Sequence, residues 1–304
     1  MSAIPEPKAV FGTRQNRQIA WITAVAVAVF IGMRFLPTGT NLNHMDFRVS
    51  GQNAIEFCDP SNPQFIPVVS VKSPVTMTVR WEGELVAGKE AKGVVVLQTA
   101  NGKVIESQDL LVAHTRKLHL LIVDPTLLDY QHVHPEPGGA RGEWKLGFTP
   151  RRSGSYRVFA DFTPAATGRG LYAGTEVDVA AGEPGNAMMQ ARPAYGYSLE
   201  PKAAPIRAGQ PADLLFTISH IGGGVVALEP VMGAYAHLVA FDLERSGFAH
   251  LHPAETDLTK AAPAEKQALN FRVTIPREGR YAIWAQFRVD GAEFFTPFWF
   301  DVVK

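Results

Sequence analysis

From Val75 onward the chain alternates apolar and polar positions in short runs. They include Val75-Thr76-Met77-Thr78-Val79-Arg80-Trp81, Gly93-Val94-Val95-Val96-Leu97, Leu118 to Val123, and Tyr156-Arg157-Val158-Phe159-Ala160-Asp161-Phe162. A period of two, β-branched enrichment and frequent turn residues predict strands. No stretch beyond the N-terminal region carries a helical stripe. Short strands at this spacing predict β-sandwiches, so the expected fold is mostly β: two tandem β-sandwich domains plus one N-terminal transmembrane helix.

The helix is predicted where alternation is absent. Ile19 to Met33 carry no charge and are almost wholly apolar. Extended to Leu36, the segment 19–36 gives a helix of about 27 Å, near the bilayer core thickness. Arg34 stands at its far end, where its stem can snorkel. Lys8, Arg14 and Arg17 precede it, so the tail 1–18 is expected to stay cytoplasmic and the bulk to be periplasmic, on a single-pass inner-membrane protein. A cleaved signal peptide is the competing expectation; Arg34-Phe35-Leu36-Pro37 offers no small-x-small cleavage site and favours a retained anchor in the lipid bilayer. Residues 37–72 are expected to form an irregular extension, with turn chemistry at Cys58-Asp59-Pro60-Ser61-Asn62-Pro63.

The chain then repeats itself. Ala87-Gly88 precedes His119 as Ala208-Gly209 precedes His237, and Asp124 and Asp242 follow those histidines by five residues. Pro150-Arg151-Arg152-Ser153-Gly154-Ser155-Tyr156 matches Pro276-Arg277-Glu278-Gly279-Arg280-Tyr281 with one deletion, and Phe159-Ala160-Asp161-Phe162 matches Trp284-Ala285-Gln286-Phe287. A tandem duplication follows, with domain 1 at 73–180, a linker at 181–193 and domain 2 at 194–304. Each unit is large enough to bury its own core.

Composition narrows the function. The 304 residues carry zero formal net charge, so no global field favours nucleic acid. A single cysteine, Cys58, excludes an intrachain disulfide and any Cys-x-x-Cys motif. It is expected as a small buried residue. No nucleophile elbow, phosphate loop, dinucleotide fingerprint or haem-attachment motif is present, so no catalytic residues are assigned and an enzyme is not expected.

The candidate chemistry lies in two histidine clusters with one internal spacing: His119, His132 and His134, and His237, His250 and His252. If each hairpin pairs symmetrically, about residues 126–127 and 244–245, His119 faces His134 and His237 faces His252. Directly opposed Cβ atoms stand about 5 Å apart, and residues two apart share a face. Three neutral imidazoles then converge, a set suited to copper or zinc. The bland alternative is a strand end at a domain rim, inherited twice by duplication. His114 and His220 do not match each other and are left outside the clusters; His44 stands alone. Met188-Met189 in the linker is filler or a soft ligand pair. The run Phe294 to Phe300 holds five aromatics in seven residues, of which alternation buries half and leaves part for a partner or the membrane interface.

The two units resemble bacterial exported β-sandwich modules carrying His-Leu-x-x-x-x-Asp-(loop)-His-x-His-Pro. The matching residues are His119, Leu120, Asp124, His132, His134, Pro135 and His237, Leu238, Asp242, His250, His252, Pro253. The resemblance covers about residues 73–304 and implies an immunoglobulin-like or cupredoxin-like fold near heavy-metal handling proteins. The cysteine and methionine ligands of a blue-copper site are missing from their places. The architecture also resembles an anchored accessory subunit of a respiratory or photosynthetic electron-transfer complex, with membrane protein subunits as partners. That scaffold role is the first functional expectation, and copper or zinc binding for delivery or tolerance is the second.

Overall fold

The computed structural model describes residues 12–34, 42–48, 63–182, 194–258 and 264–304. Phe35 and Leu36, Cys58, and Met188-Met189 with most of the linker lie outside the described residues.

The N-terminal apolar run is one helix, α1 (Thr13–Arg34). It begins six residues before the expected start, because no glycine or proline interrupts the polar turn from Thr13 to Gln18. Its Thr13–Met33 span has a mean hydropathy of 1.4 and none of it is buried. At 22 residues it is about 33 Å long, enough to cross a membrane.

Domain 1 contains β1 (Val75–Trp81), β2 (Ala91–Thr99), β3 (Leu110–Leu111), β4 (Leu118–Val123), β5 (Tyr130–Val133), β6 (Glu136–Pro137), β7 (Glu143–Phe148), β8 (Gly154–Pro164) and β9 (Leu171–Val179). One sheet runs β1-β2-β7-β6; the other has β9 and β4 flanking β8, then β5, with β3 on the β8 edge. Domain 2 contains β10 (Tyr195–Pro201), β11 (Ile206–Arg207), β12 (Pro211–His220), β13 (Leu228–Glu229), β14 (Ala236–Asp242), β15 (Ala249–Leu251), β16 (Lys266–Thr274), β17 (Gly279–Val289) and β18 (Ala292–Val303). Its sheets are β10-β12-β16 and β18-β17-β14-β15, with β11 and β13 on the edges. The duplication thus sets β8, β4 and β5 against β17, β14 and β15.

Each sandwich buries its own core. In domain 1, Leu118, Leu120 and Ile122 point inward against Val95, Leu97 and Trp144; in domain 2, Leu238 and Ile283 meet Phe216 and Phe271. A third apolar core joins the two halves: Leu121, Val123 and Phe159 of domain 1 pack with Val239, Phe241 and Trp284 of domain 2. Phe159 stacks on Phe241 at 6.3 Å, and the Trp284 indole donates to the Leu127 carbonyl at 3.1 Å. This explains why β4 is buried at every position. One of its faces belongs to its sandwich and the other to the domain interface, so polar residues have no outward face to occupy.

Of the expected irregular extension, residues 42–48 and 63–72 are described. His44–Phe47 is a 3₁₀ turn capped by Asn43, and Phe47 joins the domain 1 core. Ile66 exchanges two backbone hydrogen bonds with Phe248, at 2.7 and 3.1 Å, and Val68 enters the interface core. Only glycine fits at Gly247, where a Cβ would stand 1.8 Å from the Ile66 carbonyl oxygen. The segment before domain 1 therefore straps onto domain 2, whose backbone offers it free hydrogen-bonding groups.

The Pro-Arg turns of the repeat hold a tyrosine corner in each domain: the Tyr156 hydroxyl lies 3.0 Å from the Arg152 carbonyl and that of Tyr281 3.1 Å from the Arg277 carbonyl. In domain 1 Asp129, fully buried, also accepts from the Tyr156 hydroxyl at 2.7 Å and the Arg151 amide at 2.8 Å. Asp129→Ala strands those donors, and we expect a loss of about 3–5 kcal/mol, read by urea unfolding. A change under ~1 kcal/mol would refute the importance of this network.

The aromatic run is used largely inside the molecule. Phe294 is buried, Phe298 and Phe300 pack on the domain 2 core, and Phe295 packs on the interface core. Trp299 stays partly exposed beneath the Arg280 guanidinium.

Candidate metal centre

β4 and β5 pair Leu120 with Val133 and Leu121 with His132, and β14 and β15 pair Leu238 with Leu251. Continued one step, these registers set His119 opposite His134 and His237 opposite His252. Period two then places His119, His132 and His134 on the face of β4 that carries Leu121 and Val123, which is the domain interface. His237, His250 and His252 take the matching face of domain 2. Each triad brings one ring nitrogen from each residue within 4.8 Å of the others, so two triads could hold a metal.

The triads have one geometry. Ring centroids stand 5.3, 4.9 and 4.6 Å apart for His119–His132, His119–His134 and His132–His134, against 5.5, 4.8 and 4.7 Å for the corresponding domain 2 pairs. The outer nitrogens are tied down. His119 Nε2–H donates to the Ala113 carbonyl at 3.0 Å and His237 Nε2–H to the Val231 carbonyl at 2.9 Å. His132 Nδ1–H donates to the Gln286 side-chain oxygen at 2.9 Å, and His250 Nδ1 lies 3.2 Å from the Asp161 carboxylate. The Gln286 amide NH₂ is itself engaged by Glu293, which leaves only its oxygen for His132.

These partners fix the tautomers. An acceptor on one ring nitrogen claims the proton, so the other carries a lone pair. His119 Nδ1 and His132 Nε2 therefore present two lone pairs to each other at 3.1 Å. Two such lone pairs repel unless a cation lies between them. A tetrahedral ion with bonds of about 2.0–2.1 Å would hold its nitrogens about 3.3 Å apart, close to that spacing. The inward nitrogens His134 Nε2, His237 Nδ1, His250 Nε2 and His252 Nε2 are buried without a hydrogen-bond partner among the described residues.

Burial keeps these rings neutral. It brings His134 down to about 3, with repulsion from neighbouring charges adding to it. It brings His237 to about 4 despite the bond to Val231. His132, His250 and His252 fall well below the ordinary imidazole value, by burial first and by neighbouring imidazoles second. A neutral imidazole is the form that ligates metal.

Three features add to the reading from sequence. First, the clusters are not separate: His132 lies 5.3 Å from His250, as close as rings within a triad, and 6.1 Å from His237. Second, His114 belongs to the assembly, stacked 3.6 Å from the His252 ring. It sits in a tight turn with positive φ, and Met232 holds the matching place in domain 2. Both lie five residues before the leading histidine, which was the available signal. Third, Asp161 and Gln286 are polar residues in apolar strands and occupy the same place in the repeat. His220 and His44 stand apart from the cluster. Asp124 and Asp242 serve their hairpin turns: Asp124 accepts from the Leu128 and Asp129 amides, and Asp242 from Ser246.

No curated protein matches the chain. Among solved structures, it is similar to the Escherichia coli adhesin FdeC, with 15% identity and a TM-score of 0.24 over 75% of this chain and 64% of that one. The chain thus spans somewhat under two thirds of the adhesin's length. It is also similar to fibronectin(III)-like modules of Clostridium thermocellum CbhA, with 12% identity and a TM-score of 0.19 over 75% and 94%. Neither likeness bears on the histidines. A family model described as a domain of unknown function (DUF8832) matches residues 72–180 and again 192–304, so the chain belongs to that family and carries its domain twice.

Proposed function

We propose that this protein binds copper, with zinc as a weaker occupant, through His119, His132, His134, His237, His250 and His252, and holds it outside the membrane for delivery or tolerance. One observation carries the proposal: six imidazoles converge in two triads, and in four of them an acceptor on the outward nitrogen leaves a lone pair on the inward one. Buried polar atoms without partners cost stability and are kept where a ligand uses them. Nitrogen sites favour copper over zinc among divalent ions. Lys8, with Arg14 and Arg17 in the first turns of α1, precedes the apolar stretch of that helix and supports an anchor with the histidine domains on the far side.

The test is elemental analysis of the full chain purified in mild detergent after micromolar copper or zinc supply. Wild type should retain metal through dialysis, and His132→Ala and His250→Ala should each retain less. A wild-type protein free of both metals would sink the proposal. The scaffold role in an electron-transfer complex is the second reading, favoured by α1, which is long and apolar enough to cross a membrane. Migration as a lone monomer from mild detergent would count against it.

A further inference from the structure

We propose that the two triads are halves of one dinuclear metal centre, assembled across the domain interface and open to a small bridging anion. This rests on the metal reading above. The first ground is proximity. His119–His250 and His132–His237 ring separations are 6.0 and 6.1 Å, an almost symmetric exchange between the halves, and His132–His250 is 5.3 Å. The three separations inside either triad run to 5.5 Å, so an ion in one triad is a near neighbour of an ion in the other.

The second ground is cross-wiring. His132 of domain 1 is oriented by Gln286 of domain 2, and His250 of domain 2 by Asp161 of domain 1. Asp161 is the ladder partner of His119, and Gln286 that of His237. Each domain therefore supplies three ligands to its own site and a positioning residue to the other. Neither site is complete without both domains.

The third ground is coordination. Three imidazoles leave each ion an open position, and two open ions close together accept one anion between them. A pocket of about 250 Å³ reaches the cluster, lined by His114, His119, Asp161, Tyr172, His250 and His252. It admits hydroxide or an anion of that size.

The experiment uses the full chain in detergent loaded with Cu(II), with copper counted by elemental analysis and the spins by electron paramagnetic resonance. Two coppers per chain with a dipole-coupled spectrum, a half-field line or loss of signal are expected. His132→Ala should restore one isolated Cu(II) signal. Adding Asp161→Asn to that variant should shift the hyperfine pattern of the remaining domain 2 copper, which a residue of purely structural use in domain 1 would not do. Azide should add a new charge-transfer band to the doubly loaded protein. Two coppers with two isolated signals, or one copper shared by all six histidines, would overturn the dinuclear centre and leave the metal reading standing. No azide response would overturn the bridging anion. No bound copper at all would remove both.

Discussion

His134→Leu and His252→Leu are expected to make the metal-free protein more stable while destroying the metal site on their own side. Each Nε2 is buried with no partner among the described residues. A buried polar atom left unpaired costs about 1–3 kcal/mol, and leucine of similar bulk carries no such cost. We therefore expect a gain of roughly 1–3 kcal/mol for each variant in urea unfolding with chelator present. Neither residue orients a neighbour through a bond from that atom, so little else is lost.

Metal binding should move the other way. Removing a group that merely orients a ligand typically costs about 10–100-fold in affinity, and removing one of three ligands must cost more. Ligand at 100 times its Kd adds about 2.7 kcal/mol of stability to the native state. Wild type should show a gain of that order on copper addition, and the double variant none. The opposed signs matter. If these rings were only packing at a domain rim, the leucine variants would be destabilised or neutral and would bind as wild type does. A loss of stability without chelator-sensitive binding in wild type would refute the argument.

Much of this site was legible in the sequence, and the limits of legibility are physical. Strand period and hairpin symmetry follow local rules, so the facing of His119 with His134 could be derived from spacing alone. The unbroken apolar run Leu118-His119-Leu120-Leu121-Ile122-Val123 also held a usable signal. A strand without polar alternation is covered on both faces, and the second cover here is the other domain. What covers it could not be read, because sheet-on-sheet packing leaves no register in the sequence. The same holds for Asp161 and Gln286. Each was visible as a polar residue amid Phe and Ala, but its target lies 89 residues away for Asp161 and 154 for Gln286. Duplication looked like a reason to discount the second cluster. In the folded chain the duplicate is the first cluster's counterpart.

Acidification should unfold the metal-free protein over a window set by the same histidines. In the unfolded chain each has its ordinary value of 6.5, whereas folding holds His237 at about 4 and His134 at about 3. Their folded values are depressed, so the unfolded state binds more protons wherever pH lies between the two values. Stability rises with pH there, is fully present above 6.5, and is lost as pH falls from 6.5 toward 4 and then 3. Each such histidine contributes a slope of up to about 1.4 kcal/mol per pH unit. From pH 7 to pH 5 these two alone should remove about 4 kcal/mol, a large share of a typical domain's stability. His132, His250 and His252, also well below the ordinary value, act in the same direction, as do His114 and His119. Asp161 acts against them: burial raises its value, so acid relieves a cost there. One titrating carboxyl can offset at most one histidine's slope, so the sum keeps its sign. Urea midpoints at pH 7 and pH 5 in chelator should differ accordingly, and His134→Leu, with one titrating ring fewer, should flatten the dependence. A stability that is level or rises from pH 7 to pH 5 would show that these rings are solvated and protonatable, and would remove the ground for six neutral nitrogens awaiting a metal.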